Sequence, residues 1–199
     1  ILPRPHERGR MQTTPEHLRR EFRERGQWSE VRLFDLFAAN AARVPERLAV
    51  VDPPNRAALD GREPRRLDYR ELSATVDATV LALAAAGLRR DDVLVTQLPN
   101  VVEYVAVYLA AARLGVVLSP VPMQYRRHEL EQIVDLTGAR ALLTVPTLKG
   151  VDYATEAMEL GRSRPLQVLC LGTDAPEGSL PFVPAALTPQ SRAALAAHV

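Results

Sequence analysis

Cysteine occurs once in the 199 residues, at Cys170. An intramolecular disulfide is thereby excluded, as is a metal cluster built on several thiolates. Lysine also occurs once, at Lys149, and every other basic side chain is arginine. With 25 basic and 24 acidic residues the net charge is +1, so neither sign is in excess enough to attract nucleic acid or a membrane surface. No apolar run reaches the roughly 20 residues that a membrane-spanning helix needs. The ten glycines stand singly, and none falls in a GxGxxG or GxxxxGK pattern, which excludes phosphate-cradling loops of those kinds. His6, His17, His128 and His198 lie far apart, without the HxxxH or HExxH spacing of zinc sites. A GxSxG nucleophile elbow is absent too. The opening stretch ILPRPHERGRMQTTPEHLRREFRERGQW is rich in arginine but carries several glutamates and no apolar core, unlike a signal or transit peptide. A cytoplasmic location is the expectation.

The residues present are organised around DVLVTQLPNVVEYVAVYLAAARLGVVLSPVP, from Asp92 to Pro122. Val93 to Leu98 is a short run rich in β-branched residues and reads as a strand. Pro99-Asn100 breaks it, because proline has no amide to give a ladder and asparagine caps the next element. Val101 to Leu114 is apolar on almost every side, with Glu103 and Arg113 its only charges, and this predicts a helix buried all round. Gly115 closes it, and Val116 to Ser119 resumes as a strand before Pro120-Val121-Pro122. The unit is βαβ, and strands joined in this way are parallel and need both sheet faces covered.

The rest of the chain supplies the cover. Thr14 is expected to cap a short charged helix with Pro15 in its first turn, ending near Glu24. Leu33 to Arg43 predicts an amphipathic helix with Leu33, Leu36, Phe37 and Ala41 inward. Leu48 to Val51 reads as a strand. Pro53 to Arg65, rich in proline and charge, reads as a loop and as the most dispensable segment of the chain. Asp68 and Glu71 form a capping box for a helix that Gly87 closes, with Tyr69, Leu72, Val76, Val80 and Leu83 as its inner stripe. A helix from Arg127 to Leu136 buries Leu130, Ile133 and Val134, and Gly138 ends it. Ala141 to Val145 is a strand, Tyr153 to Gly161 a helix and Gln167 to Leu171 a strand. Gly172 to Pro184 reads as loop, and Thr188-Pro189 opens a last helix to Val199. Strands alternating with helices in this manner specify an α/β fold, a mainly parallel, doubly wound sheet with helices on both faces. Residues 1–32 form an N-terminal arm with a short helix, and 33–199 form the α/β unit.

Candidate chemistry is sparse. His128, near a helix start, reads as a surface residue. Asp91-Asp92 reads as a turn rather than a metal pair. Cys170, inside an apolar strand, reads as a buried core thiol. Lys149 lies in the Pro146-Thr147-Leu148-Lys149-Gly150 loop at the carboxyl end of a strand, where parallel sheets collect ligands, although from its residues alone it reads first as a solvated loop lysine.

The ordered series LFDLFAANAARVPERLAVVD, LDYREL, the central βαβ unit and RHELEQIVDLTGARALLT resembles the N-terminal part of an acyl-CoA synthetase, a member of the AMP-forming, adenylate-forming ligases. The likeness covers about Arg20 to Val145 and fades after Lys149. Within that superfamily QLPNVVEYVAVYLAAARLG and the YRRHEL after it look most like ligases for short- or medium-chain, alicyclic or similar acids, and less like amino-acid adenylation domains.

The resemblance implies a parent enzyme that joins a carboxylate to ATP, releases pyrophosphate, and passes the acyl group to the thiol of coenzyme A. ATP, Mg2+ and coenzyme A are its implied cofactors, and a small carboxylic acid is its substrate. The family's Ser/Thr/Gly-rich loop ending in lysine, its Tyr-x-x-Thr-Glu segment, its ribose-binding aspartate and its lid lysine have no counterpart before Val199. The chain therefore reads as a fragment that is inactive alone, and no catalytic residue is assigned. One binding role is carried over: Lys149 as a contact for the 3′-phosphate of coenzyme A. A sheet cut short also implies an exposed apolar edge and self-association, so a homo-oligomer is among the expected states. Two alternatives stand beside this reading: a stand-alone structural or interaction module of the same descent, and an adenylation domain for an aryl or amino acid.

Overall fold

The computed structural model describes residues 14–185 together with Thr188, Ala193 and Leu195. Most of the helix expected from Thr188 to Val199 lies outside the described residues. Seven helices and nine strands occur among them, as α1 (Glu16–Glu24), α2 (Leu33–Arg43), β1 (Leu48–Val51), α3 (Arg56–Asp60), β2 (Arg66–Asp68), α4 (Tyr69–Ala85), β3 (Val93–Thr96), α5 (Val102–Leu114), β4 (Val117–Pro120), α6 (Arg127–Thr137), β5 (Ala141–Thr144), β6 (Thr147–Leu148), β7 (Val151–Asp152), α7 (Ala154–Ser163), β8 (Gln167–Leu171) and β9 (Leu180–Phe182).

Five strands form one parallel sheet in the order β4-β3-β5-β8-β9. Alternation along the strands divides the core in two. Leu94, Ala141, Leu143, Leu169 and Leu171 face α2, α4 and α5, where Leu72, Val76, Val80 and Leu83 of α4 pack against Val102, Ala106, Val107 and Ala110 of α5. Val95, Leu142 and Val168 face α6 and α7, meeting Leu130, Val134, Ala157 and Leu160. The sheet is thus doubly wound, with helices on both faces, as the βαβ pattern requires. Asp68 accepts from the amide of Glu71 at 2.8 Å, and Glu71 accepts from the amide of Asp68 at 3.0 Å, so the capping box at the start of α4 is complete.

Several expectations are corrected. Pro15, not Thr14, caps α1, and no side-chain cap bond forms there, since a proline ring carries no acceptor. In α2 the inner face is Phe34, Phe37 and Ala41, while Leu33 and Leu36 are exposed. The phenylalanines decide the rotation, because a ring buries more area than a leucine; the Arg113 guanidinium also lies 4.7 Å from the centre of the Phe34 ring. Helix α5 is not buried all round: Val105 and Tyr108 are 37% and 47% exposed, on the side that neither the sheet, α2 nor α4 covers. Strand β1 stands outside the main sheet, paired antiparallel with β2. The stretch from Gly172 to Pro184 is not all loop, because β9 adds a parallel edge strand beside β8. Finally, the segment from Pro53 to Arg65 contains α3 and is anchored through the buried Arg56.

Candidate functional site

The topology marks one place for a ligand. From β3 the chain leaves through α5 to β4 on one side, and from β5 it leaves through α7 to β8 on the other. Beyond the carboxyl ends of neighbouring strands whose exits diverge, a parallel sheet opens a crevice. Here those ends are Thr96 and Thr144. Both hydroxyls are fully buried and lack a hydrogen-bond partner, at positions that otherwise carry apolar residues. The next residue, Gln97, is buried and donates its side-chain amide to the carbonyls of Tyr125 at 2.7 Å and Pro122 at 3.3 Å, which ties the end of β3 to the loop after β4.

Lys149 stands beyond β5 at the tip of the β6–β7 hairpin. With φ of 51° at Lys149 and 77° at Gly150, both tip residues are left-handed, as a two-residue hairpin turn demands. The lysine is exposed, and its backbone amide donates to the carbonyl of Leu59 in α3 at 3.1 Å. The hairpin thus rests on the segment whose composition marks it as dispensable.

That segment is held by charge. Arg56 has no exposed surface. It donates to Asp52 at 2.5 Å, to Glu103 at 2.9 Å and to Asp60 at 3.3 Å. Asp52 is buried as well; its other oxygen accepts from the amide of Val102 at 2.8 Å, and the oxygen facing Arg56 also takes the amide of Arg65 at 2.8 Å. Burial alone would push the Asp52 carboxyl up, but the hydrogen bonds from Arg56, Val102 and Arg65 outweigh it and hold the group below its ordinary value. Asp52 thereby supplies the cap at the start of α5 that Val101 cannot. Pattern reading misses this cluster, and the available signal is Asp52 and Arg56 four residues apart beside an inward Glu103.

A cleft of about 740 Å³ adjoins the cluster, between α4, the carboxyl ends of β8 and β9, and Arg62 and Arg65. The remaining sequence candidates stand apart. His128 is exposed, with Nε2 at 2.9 Å from the Gln132 amide. Asp91 occupies a left-handed turn position, with φ of 68°, and Asp92 accepts from the amide of Arg89 at 2.8 Å, so the pair forms a turn. Cys170 is fully buried, and burial pushes its thiol up to about 11, so it is no nucleophile. Among the described residues no three His, Cys, Asp or Glu side chains are grouped to hold a metal ion, and no helix is long and apolar enough to cross a membrane.

A doubly wound parallel sheet is the frame on which many ligand-binding α/β proteins place a crevice at the switch point. Comparison narrows the class: the AMP-binding enzyme model matches residues 37–192. The chain belongs to that family, the adenylate-forming ligases. It is 31% identical over 162 residues to a 2-hydroxy-7-methoxy-5-methyl-1-naphthoate–CoA ligase of Streptomyces carzinostaticus, with 80% of this chain and 27% of that protein covered. To a salicyl-AMP ligase / salicyl-S-ArCP synthetase of Mycobacterium tuberculosis it is 30% identical over 144 residues, 72% of this chain and 25% of the other. The apo structure of Mycobacterium smegmatis MbtA superposes with a TM-score of 0.69 and 25% identity, covering 90% of this chain and 33% of that one. The chain spans about a quarter of the length of these curated relatives.

Proposed function

We propose that this chain is the first subdomain of an AMP-forming acid–thiol ligase, which adenylates a carboxylic acid with ATP and passes the acyl group to coenzyme A. The observation that carries the reading is the family match across residues 37–192. ATP and Mg2+ would supply the leaving group and the charge stabilisation for adenylyl transfer. The described residues hold neither a glycine-rich phosphate loop nor a grouped metal-ligand set, so neither is assigned to them. The chain's own part is to form the sheet and to present one basic group. As the only exposed lysine at a carboxyl end of the sheet, Lys149 suits a phosphate contact, acting as a point charge. For the acid, the short- or medium-chain and alicyclic class read from the sequence competes with aryl acids.

A second reading, an aryl-acid adenylating enzyme that loads a carrier protein, is favoured by the likeness to the salicyl-AMP ligase / salicyl-S-ArCP synthetase. One assay separates the two. The complete reading frame is expressed, and acid-dependent exchange of pyrophosphate into ATP is measured with medium-chain, alicyclic and aryl acids, followed by thioester formation on coenzyme A. Exchange with at least one acid and coenzyme A-dependent thioester are expected. Exchange without coenzyme A thioester would favour the carrier-protein reading, and no exchange with any acid would overturn both. The 199-residue chain alone is expected to show no exchange. In the complete enzyme, Lys149→Ala is expected to raise the KM for coenzyme A several-fold, less so at high salt, and to leave adenylation unchanged. An unchanged coenzyme A dependence would make Lys149 a solvated turn residue.

A further inference from the structure

We propose that the cleft between α4, β8 and β9 binds a small organic carboxylate through Arg62 and Arg65, a site that does not rest on the thioester reading. Its walls are largely apolar, from Ala74 and Ala78 of α4 to Leu171, Phe182 and Val183, and Arg62, Arg65, Glu103, Thr75 and Thr173 supply its polar lining. A roomy, mainly apolar cleft with a few convergent polar groups suits a ligand that has an apolar body and a charged end. The donors are under-used. Arg62 makes one long bond to the carbonyl of Leu171, at 3.4 Å, and the Arg65 side chain makes one ion pair with Glu103, at 3.5 Å. Each guanidinium carries five N–H donors in a planar fork that fits a carboxylate with two parallel bonds.

The site is built rather than incidental. The amide of Arg62 donates to Asp60 at 3.1 Å and that of Arg65 donates to Asp52 at 2.8 Å. Both carboxylates are held by the buried Arg56, so one charge cluster fixes the backbone at both arginines. Gly172 adjoins the site in a conformation that L side chains rarely adopt, with φ of 107°, and a Cβ there would stand 2.2 Å from the end of the Arg62 side chain, which would have to swing aside. Asp52 and Asp60 are engaged by Arg56 and by backbone amides, whereas Glu103 lines the cleft, gives one oxygen to Arg56 and Arg65 and leaves the other unpartnered, so a bound carboxylate must compete with it for Arg65.

The test is titration of the 199-residue chain with sodium benzoate, benzamide and inorganic phosphate, followed by amide chemical shifts. Benzoate is expected to bind with shifts centred on Gly172, Thr173 and Thr75. Benzamide, which has the same body without the charge, should bind at least about tenfold more weakly, as should benzoate to Arg62→Gln or Arg65→Gln, since a hydrogen bond to a charged group is worth roughly that factor or more. Arg65→Lys should fall between, keeping the charge but not the fork. Arg66→Gln, which alters the exposed neighbour outside the cleft, should match the parent. Unperturbed spectra elsewhere establish that each variant is folded. The proposal is overturned by absent benzoate binding, by benzamide binding equally well, by phosphate binding as tightly as benzoate, or by Arg66→Gln matching Arg65→Gln.

Discussion

Helix α5 and the strap from Asp52 to Arg65 lie side by side and are held by opposite means. The thirteen residues of α5 bury seven side chains, all of them valine, alanine or leucine. The strap contains a five-residue helix whose only buried side chain is an arginine. A helix that short does not persist by propensity. Apolar packing is non-directional and tolerates one exposed strip, as at Val105 and Tyr108. A buried cation tolerates nothing of the kind, because each lost partner leaves a charge without compensation. The two regions therefore differ in how they fail: α5 should lose stability in proportion to what is removed, and the strap should fail as a unit.

The comparison breaks most visibly at Leu109, which is buried in α5. Leu109→Asp places an unpaired charge in the core at a cost of several kcal/mol, comparable to the about 5–15 kcal/mol stability of a whole domain, so the variant should be insoluble or unfolded. Next comes Arg56→Ala. Removing one partner of a buried pair costs about 3–5 kcal/mol, to be read from chemical denaturation. The acid side of the stability profile should change with it. The Asp52 carboxyl is lowered in the folded state, so its contribution is present above the ordinary carboxylate pKa and is lost as pH falls through the lower folded value. That loss should appear below about pH 4 in the parent and shrink in Arg56→Ala. Smaller still is Asp68→Ala, which deletes one half of the capping box and should cost about 1 kcal/mol. Smallest is Tyr108→Asp, one residue from Leu109 but on the exposed strip, which should stay soluble and change stability within about 0.5 kcal/mol. If Tyr108→Asp were as damaging as Leu109→Asp, the open face of α5 would be a buried interface.

Legibility divides along the same line. The βαβ unit, the α4 stripe and the capping box can be read because period and spacing report local geometry, and Leu72, Val76, Val80 and Leu83 are buried where the pattern places them. The rotation of α2 is misread because Leu33 and Leu36 carry the same period as Phe34 and Phe37, and only the neighbouring helices choose between the stripes. Strand β9 is invisible because Leu180-Pro181-Phe182 sits among turn residues and is ordered by the edge of β8 rather than by its own propensity. The strap is hardest to see. Its charges and prolines mark a surface loop in any local reading, and the contact that buries Arg56 comes from Glu103, 47 residues along the chain. Lys149 can be found by position, but its support by Leu59 cannot, since that bond joins two backbones.

The central claim is that buried charge, not loop chemistry, orders the strap. Native-state amide hydrogen exchange in Arg56→Met tests it most directly, because methionine fills much of the arginine's volume without its donors. The amides of Arg65 and Val102, both bonded to Asp52, and of Lys149, bonded to Leu59, should exchange faster than in the parent, while those of Leu94 and Val95 in the sheet keep their relative protection. Unchanged exchange at Arg65, Val102 and Lys149 would contradict the account.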